Sequence, residues 1–220
     1  VFDVTPTQAV FIRSTNNPIP PSQVYLGTSN FTGMFDINLT RTINSSSRMK
    51  IINAFGWPIQ VEVRGGVFYG KQKGWNGTRV EYARDEAYVL KYRTQFTYTY
   101  KNGTKFTSKL HSGMHEPLRE TLKAIDDAGF SRGVKNIGAS IYPRDTTNAP
   151  GLLSGHSFGV AMDFNSDIYS YGNAAFKQYK KDLNNSSSKN HAYAKAIKIA
   201  YDTGLWVWGG NYNDTKDTHH

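Results

Sequence analysis

The chain has 220 residues, with 26 Lys and Arg against 17 Asp and Glu, a net charge of +9. Its 14 Tyr, 12 Phe and 4 Trp supply the bulk of a folded core and exclude a disordered chain. The absence of cysteine excludes disulfides, thiolate metal ligands and a cysteine nucleophile, so any metal must be held by His and carboxylates.

No run approaches the roughly 18 apolar residues a membrane-spanning helix needs, so no membrane span is expected. The chain opens at Val1 with neither a start Met nor a recognisable signal peptide, which leaves secretion open. The basic residues are scattered rather than gathered into a like-charge block. No nucleic-acid partner is expected; a solvated basic surface and attraction to an acidic polymer both fit.

In chain order, residues 1 to 47 are expected to form loops or an extended arm, from Pro18-Ile19-Pro20-Pro21 and Ser45-Ser46-Ser47. Ile59, Val61 and Val63 alternate with Gln60, Glu62 and Arg64, the period of a strand with one buried face, and Gly65-Gly66 offers a turn into Val67-Phe68-Tyr69. Phe96, Tyr98 and Tyr100 alternate in the same way. Asn102-Gly103 then predicts a two-residue type I′ turn before Thr104 to Thr107. Residues 1–109 therefore read as a β-rich N-terminal region and 110–220 as a second region of helices and strands.

In that second region, Pro117 suits the first turn of a helix carrying Leu118, Leu122 and Ile125, with Gly129 placed to end it. Strands are expected over Val134 to Tyr142 and over Phe158 to Phe164. Asn184 to Ser188 reads as a polar loop. Tyr193, Ala196, Ile197, Ala200 and Tyr201 follow helical spacing up to Gly204, and Trp206 to Trp208 reads as a short strand.

The chemistry concentrates in Ser154-Gly155-His156-Ser157-Phe158-Gly159-Val160-Ala161-Met162-Asp163. Imidazole and carboxylate are good zinc ligands, and a catalytic site needs three protein ligands with a fourth position open. A His and an Asp seven residues apart do not by themselves establish such a site.

The wider pattern, Ser-x-His-x-x-Gly-x-Ala-x-Asp, resembles the signature of the M15 peptidases, zinc enzymes that cut bacterial peptidoglycan. Ser154, His156, Gly159, Ala161 and Asp163 occupy its fixed positions. Gly204-Leu205-Trp206-Val207-Trp208-Gly209-Gly210 and the closing Asp217-Thr218-His219-His220 resemble the second signature of that family. The resemblance covers about residues 111 to 220. Phe55-Gly56-Trp57-Pro58 is similar to a segment upstream of the zinc motif in phage relatives, which would assign part of the N-terminal region to the catalytic domain.

The resemblance implies Zn²⁺ held by His156, Asp163 and His220, with Asp217 as general base. His219 takes the ligand position only if the register is off by one. Arg144 would clamp a substrate carboxylate or stabilise charge on the carbonyl oxygen, or else pair with Asp145 or Asp127. Ser154 would hydrogen-bond substrate or cap the turn, and Trp206 and Trp208 read as core. The implied fold is α+β: a small antiparallel sheet with helices on one side, zinc in a cleft, and a β-rich N-terminal extension. An Asp rather than a Glu three residues before the last His favours an L-alanyl-D-glutamate endopeptidase acting on the stem peptide. A D-Ala-D-Ala carboxypeptidase and a non-catalytic wall-binding or virion structural module are the alternatives. The expected setting is extracellular, at the cell wall, or a phage virion, with anionic wall polymers as partners of the basic surface. Family members continue with Phe and an acidic residue after the last His, where this sequence stops at His220.

Overall fold

The computed structural model describes residues 3–4, 37–75, 79–147, 149–213 and 215–220. The arm or loops expected before residue 37 lie outside the described residues, Asp3–Val4 excepted. Every strand pairing given a register is antiparallel, and short sheets of two or three strands alternate with helices, the expected α+β class. The chain divides into two compact units.

One unit comprises the described residues of Val10–Arg93 together with Ile141–Gly159. Its three-stranded sheet has Val67–Gly70 in the centre, between Ile37–Asn38 and Val61–Arg64. Gly65 and Gly66 both take positive φ (56° and 79°), as the tight turn between Val61–Arg64 and Val67–Gly70 requires. Gly70 admits no side chain, because a Cβ there would sit 2.8 Å from Ile59 Cδ1 and 2.9 Å from Tyr82 Cδ1.

Three helices that the sequence reading did not name, Thr40–Asn44, Ser46–Phe55 and Glu86–Tyr92, accompany this sheet. The loop expected at Ser45-Ser46-Ser47 shrinks to Ser45, whose N–H donates to Arg41 O and whose carbonyl accepts from Met49 N. Ser46 and Ser47 instead open the second helix, since serine is tolerated at helix starts far better than in helix interiors. Trp57 stacks on Phe68 with ring centroids 5.6 Å apart.

Side chains of this unit hold the segment that leads to His156. Thr42 Oγ1 donates to Gly151 O at 2.5 Å and accepts from Leu153 N at 2.9 Å, while Arg48 Nε donates to Leu153 O. The Tyr82 hydroxyl donates to Asp145 Oδ1 and that of Tyr88 to Phe158 O. Both tyrosines are buried, so each hydroxyl needs such a partner.

The other unit comprises the described residues of Val1–Ala9 with Thr94–Ser140 and Val160–His220. The expected hairpin forms from Arg93–Thr99 and Lys105–His111. Its turn differs from the type I′ expectation. Gly103 alone takes positive φ (83°), and Gly103 N donates to Tyr100 O while Tyr100 N donates to Thr104 O. Asn102 remains in an ordinary conformation, and its Oδ1 accepts from Thr104 N at 2.9 Å, so the side chain stabilises the longer turn.

Helix His115–Asp127 buries Leu118, Leu122 and Ile125 as their spacing predicts. Gly129, at φ 79°, stops it, with Phe130 N donating back to Ile125 O. Helix His191–Asp202 buries Ala196, Ile197 and Ala200 and ends before Gly204 at φ 70°. The preceding Asn173–Asn184 helix packs against it, with a polar turn between them. Trp206–Val207 pairs with Asp3–Val4.

Two expected strands are corrected. Over Val134 to Tyr142 only Ile137–Gly138 is a strand, and over Phe158 to Phe164 only Asp163–Phe164 is one; these two pairs bond to each other. Gly155–Phe158 is instead a single helical turn closed by Gly159 in the left-handed conformation (φ 72°). The alternation of Phe158, Val160, Met162 and Phe164 does not reflect one buried face, because Gly159 and Ala161 between them are buried too.

Candidate metal centre

His156 stands on the one-turn helix Gly155–Phe158. Ser154 caps that turn, its Oγ accepting from His156 N at 3.3 Å, and Gly159 donates its N–H back to Gly155 O and His156 O. His156 is 5% exposed, and its carbonyl also accepts from Tyr142 N at 2.9 Å. In the same unit, the Ser157 hydroxyl accepts from Arg144 N at 2.9 Å and donates to Arg144 O at 2.8 Å. Ser154 N also donates to Arg144 O. The Arg144 backbone is thereby locked to the His156 turn. Its guanidinium carbon lies 5.6 Å from the centre of the Tyr142 ring. Of the two acids weighed as partners of Arg144, Asp145 accepts from Tyr82, and Asp127 is engaged by Lys101 and Lys123.

Asp163 opens the Asp163–Phe164 strand and faces Gly138 across the ladder. The final loop is anchored beside it by the Trp-Gly-Gly stretch. Gly209 N donates to His220 O at 2.8 Å, Gly209 O accepts from Asp217 N at 3.0 Å, and Trp208 Nε1 donates to Thr218 O at 2.8 Å. Gly210 lies against the Trp208 indole, where a Cβ would come within 2.4 Å of ring carbons. Trp206 and Trp208 are core residues, as read from the sequence; the Trp206 indole donates to Thr121 Oγ1. His220 is 8% exposed, and its Nδ1 lies 3.0 Å from Asp217 Oδ2. An imidazole whose Nδ1–H is held by a carboxylate presents Nε2 as the free lone pair, the orientation typical of a metal ligand.

Among the described residues, His156 of one unit and Asp163 and His220 of the other are the His and carboxylate side chains that could hold a metal ion. Two imidazoles and one carboxylate are the donor set of a catalytic zinc site and leave a coordination position open, so the residues present fit Zn²⁺. The group includes His220 rather than His219.

Residues 147–220 match a family model described as D-alanyl-D-alanine carboxypeptidase. The match supports an M15 family peptidase. The match supports a peptidase acting on peptidoglycan, in a family whose members are generally zinc-dependent. No similar curated protein and no similar solved structure was found.

Sequence reasoning missed two residues within the matched segment. Ser157, which is not among the fixed positions of the signature, holds the Arg144 backbone. His219, read as a variable position, has its Nε2 3.4 Å from Asp217 Oδ1 and 3.8 Å from Asp163 Oδ1. Neither contact has a local sequence signal, since each joins residues far apart or depends on how the last loop folds.

Proposed function

We propose that the protein is a zinc-dependent peptidoglycan hydrolase that cuts the stem peptide between L-Ala and D-Glu. The observation carrying this reading is the His156–Asp163–His220 group, with Asp rather than Glu three residues before the last ligand. Bound there, Zn²⁺ would supply the Lewis acidity that peptide hydrolysis needs. Asp217, whose Oδ1 is buried without a hydrogen-bond partner, is the carboxylate we assign to take a proton from the attacking water and deliver it to the leaving amine. Arg144 is assigned to a substrate carboxylate and Ser154 to a substrate carbonyl. The substrate implies action in the bacterial envelope, from outside the cell or from a phage virion. Lys177, Lys180 and Lys181, exposed together on the Asn173–Asn184 helix, support a further attraction to anionic wall polymers.

Mass spectrometry of muropeptides digested by the zinc-loaded protein tests the proposal. Release of L-Ala-linked glycan and a free D-Glu amino terminus, abolished by chelation and by Asp217→Ala, is expected. Intact stem peptides with a fully metal-loaded protein would sink it. A second reading, a D-Ala-D-Ala carboxypeptidase, is favoured by the description of the matched family. It would release only terminal D-Ala and leave the L-Ala–D-Glu bond whole.

A further inference from the structure

We propose that Tyr142 is a positioning residue, a platform that presents the Arg144 guanidinium to a carboxylate of the substrate; this rests on the hydrolase reading above. The residues concerned belong to the unit that carries His156. Burial alternates along residues 141–145: Ile141, Pro143 and Asp145 are buried, while Tyr142 is 39% exposed and Arg144 half-buried. That period of two places Tyr142 and Arg144 on one outward face. The segment is bonded on both sides, as a strand would be. Tyr142 N donates to His156 O and Ser154 N to Arg144 O on one side, and Tyr82 N donates to Pro143 O on the other. On that second side Glu81 is bridged antiparallel to Arg144. Directly opposed residues of an antiparallel pair share a face, so Glu81 stands with Tyr142 and Arg144.

Tyr142 is held at both ends. Its backbone N–H is fixed to the His156 turn, and its hydroxyl donates to Glu81 Oε1. The Arg144 guanidinium carbon lies over the ring, 5.6 Å from its centre, within the range of a cation–π contact. Stacking uses the flat face of a guanidinium. Its N–H groups lie in the plane and form the fork that takes a carboxylate through two parallel bonds. A ring against Arg144 therefore restricts the side chain without consuming that edge, and a clamp already restricted loses less freedom when substrate arrives. In the proposed reaction the carboxylate nearest the cut bond is the α-carboxylate of D-Glu, which a γ-linked stem leaves ionised. Its carboxamide has nearly the same shape and no charge, so the two forms report how well Arg144 is presented.

The full zinc-loaded chain is compared with Tyr142→Leu, Tyr142→Phe, Glu81→Ala, Arg144→Ala and the double variant Tyr142→Leu/Arg144→Ala. Muropeptides carrying either the D-Glu α-carboxylate or its carboxamide give kcat and KM. The Arg144 Nε–Hε signal in heteronuclear NMR, assigned with Arg144→Lys, reports the order of the guanidinium without turnover. Tyr142→Leu is expected to raise KM for the carboxylate substrate about three- to tenfold with kcat little changed, and to make the Nε–Hε group more mobile. KM for the carboxamide should stay near the wild-type value. Tyr142→Phe and Glu81→Ala keep the ring and lose only its tether, so they should fall between Leu and wild type. In the Arg144→Ala background, Tyr142→Leu should add nothing. Wild-type KM or wild-type Nε–Hε order in the Leu variant overturns the proposal. So does a Leu effect that persists undiminished without Arg144, or one equal on both substrates, since the ring would then act other than through the guanidinium. Stem peptides left intact by the wild type overturn the hydrolase reading instead, and the NMR comparison still decides whether the ring orders Arg144.

Discussion

The hairpin Arg93–Thr99/Lys105–His111 and the segment Leu153–Phe164 carry the same kind of sequence signal and fold differently. In the hairpin, Phe96 and Tyr100 are buried while Thr97 and Thr99 are exposed, so the period of two reports a sheet with one wet face. In the segment, every residue from Leu153 to Met162 is buried, odd and even alike. Alternation of large and small side chains there records packing volume, not the pleat of a strand. What decides the conformation is a cap and a left-handed glycine: Ser154 starts a helical turn and Gly159 ends it. The lesson is that a period-2 pattern predicts a strand only where the intervening residues are polar enough to face water.

Substitutions can break or sharpen this contrast. The largest effect is expected from Ala161→Asp, which puts a carboxylate at a fully buried position of the segment. A loss of more than about 4 kcal/mol, seen as an unfolded or aggregated protein by circular dichroism, is expected; a folded variant with near-native Tm would show that this parity faces water after all. Next comes His111, where the hairpin's own alternation gives out beside buried Leu110. Burial, helped by nearby His115, pushes its imidazole down from 6.5 to about 4. The unfolded chain therefore takes the proton first, so the contribution is present above pH 6.5 and lost as pH falls towards 4. Urea denaturation at pH 7 and pH 4.5 should show a loss of about 2 kcal/mol attributable to this group, and His111→Asn should flatten that slope.

Gly159→Ala places a Cβ in the left-handed conformation and should cost about 1–2 kcal/mol. Because the strain falls between His156 and Asp163, zinc affinity measured by chelator competition should fall as well. Smallest is Thr99→Asp on the wet face of the hairpin, under about 1 kcal/mol in the same urea experiment. A cost for Thr99→Asp matching that of Ala161→Asp would remove the distinction between the two regions.

Legibility followed burial geometry. The helices at Leu118–Ile125 and Ala196–Ala200 could be read because each buries one stripe, and the glycines that stop them declare their role by position. The helices of residues 40–55 and 86–92 left a weaker trace, being short and only partly buried. The candidate ligand group was named through two distant motifs taken together, and neither spacing nor composition alone would have proposed it. The contact of His219 with Tyr169 was not legible, because Tyr169 stands 50 positions earlier in the chain and no periodicity links the two.

The sequence by itself determined the donor chemistry: with no cysteine, a metal had to fall to imidazole and carboxylate, and the two motifs named which ones. It also determined where two helices must stop, since glycine takes the left-handed conformation without strain at Gly129 and Gly204. The tertiary structure alone decided that His156 rides a helical turn rather than a loop leading into a strand, that Ser157 holds the Arg144 backbone, and that His219 Nδ1 meets the Tyr169 carbonyl. Those outcomes depend on contacts between residues remote in sequence, whose energies exist only once the chain has folded.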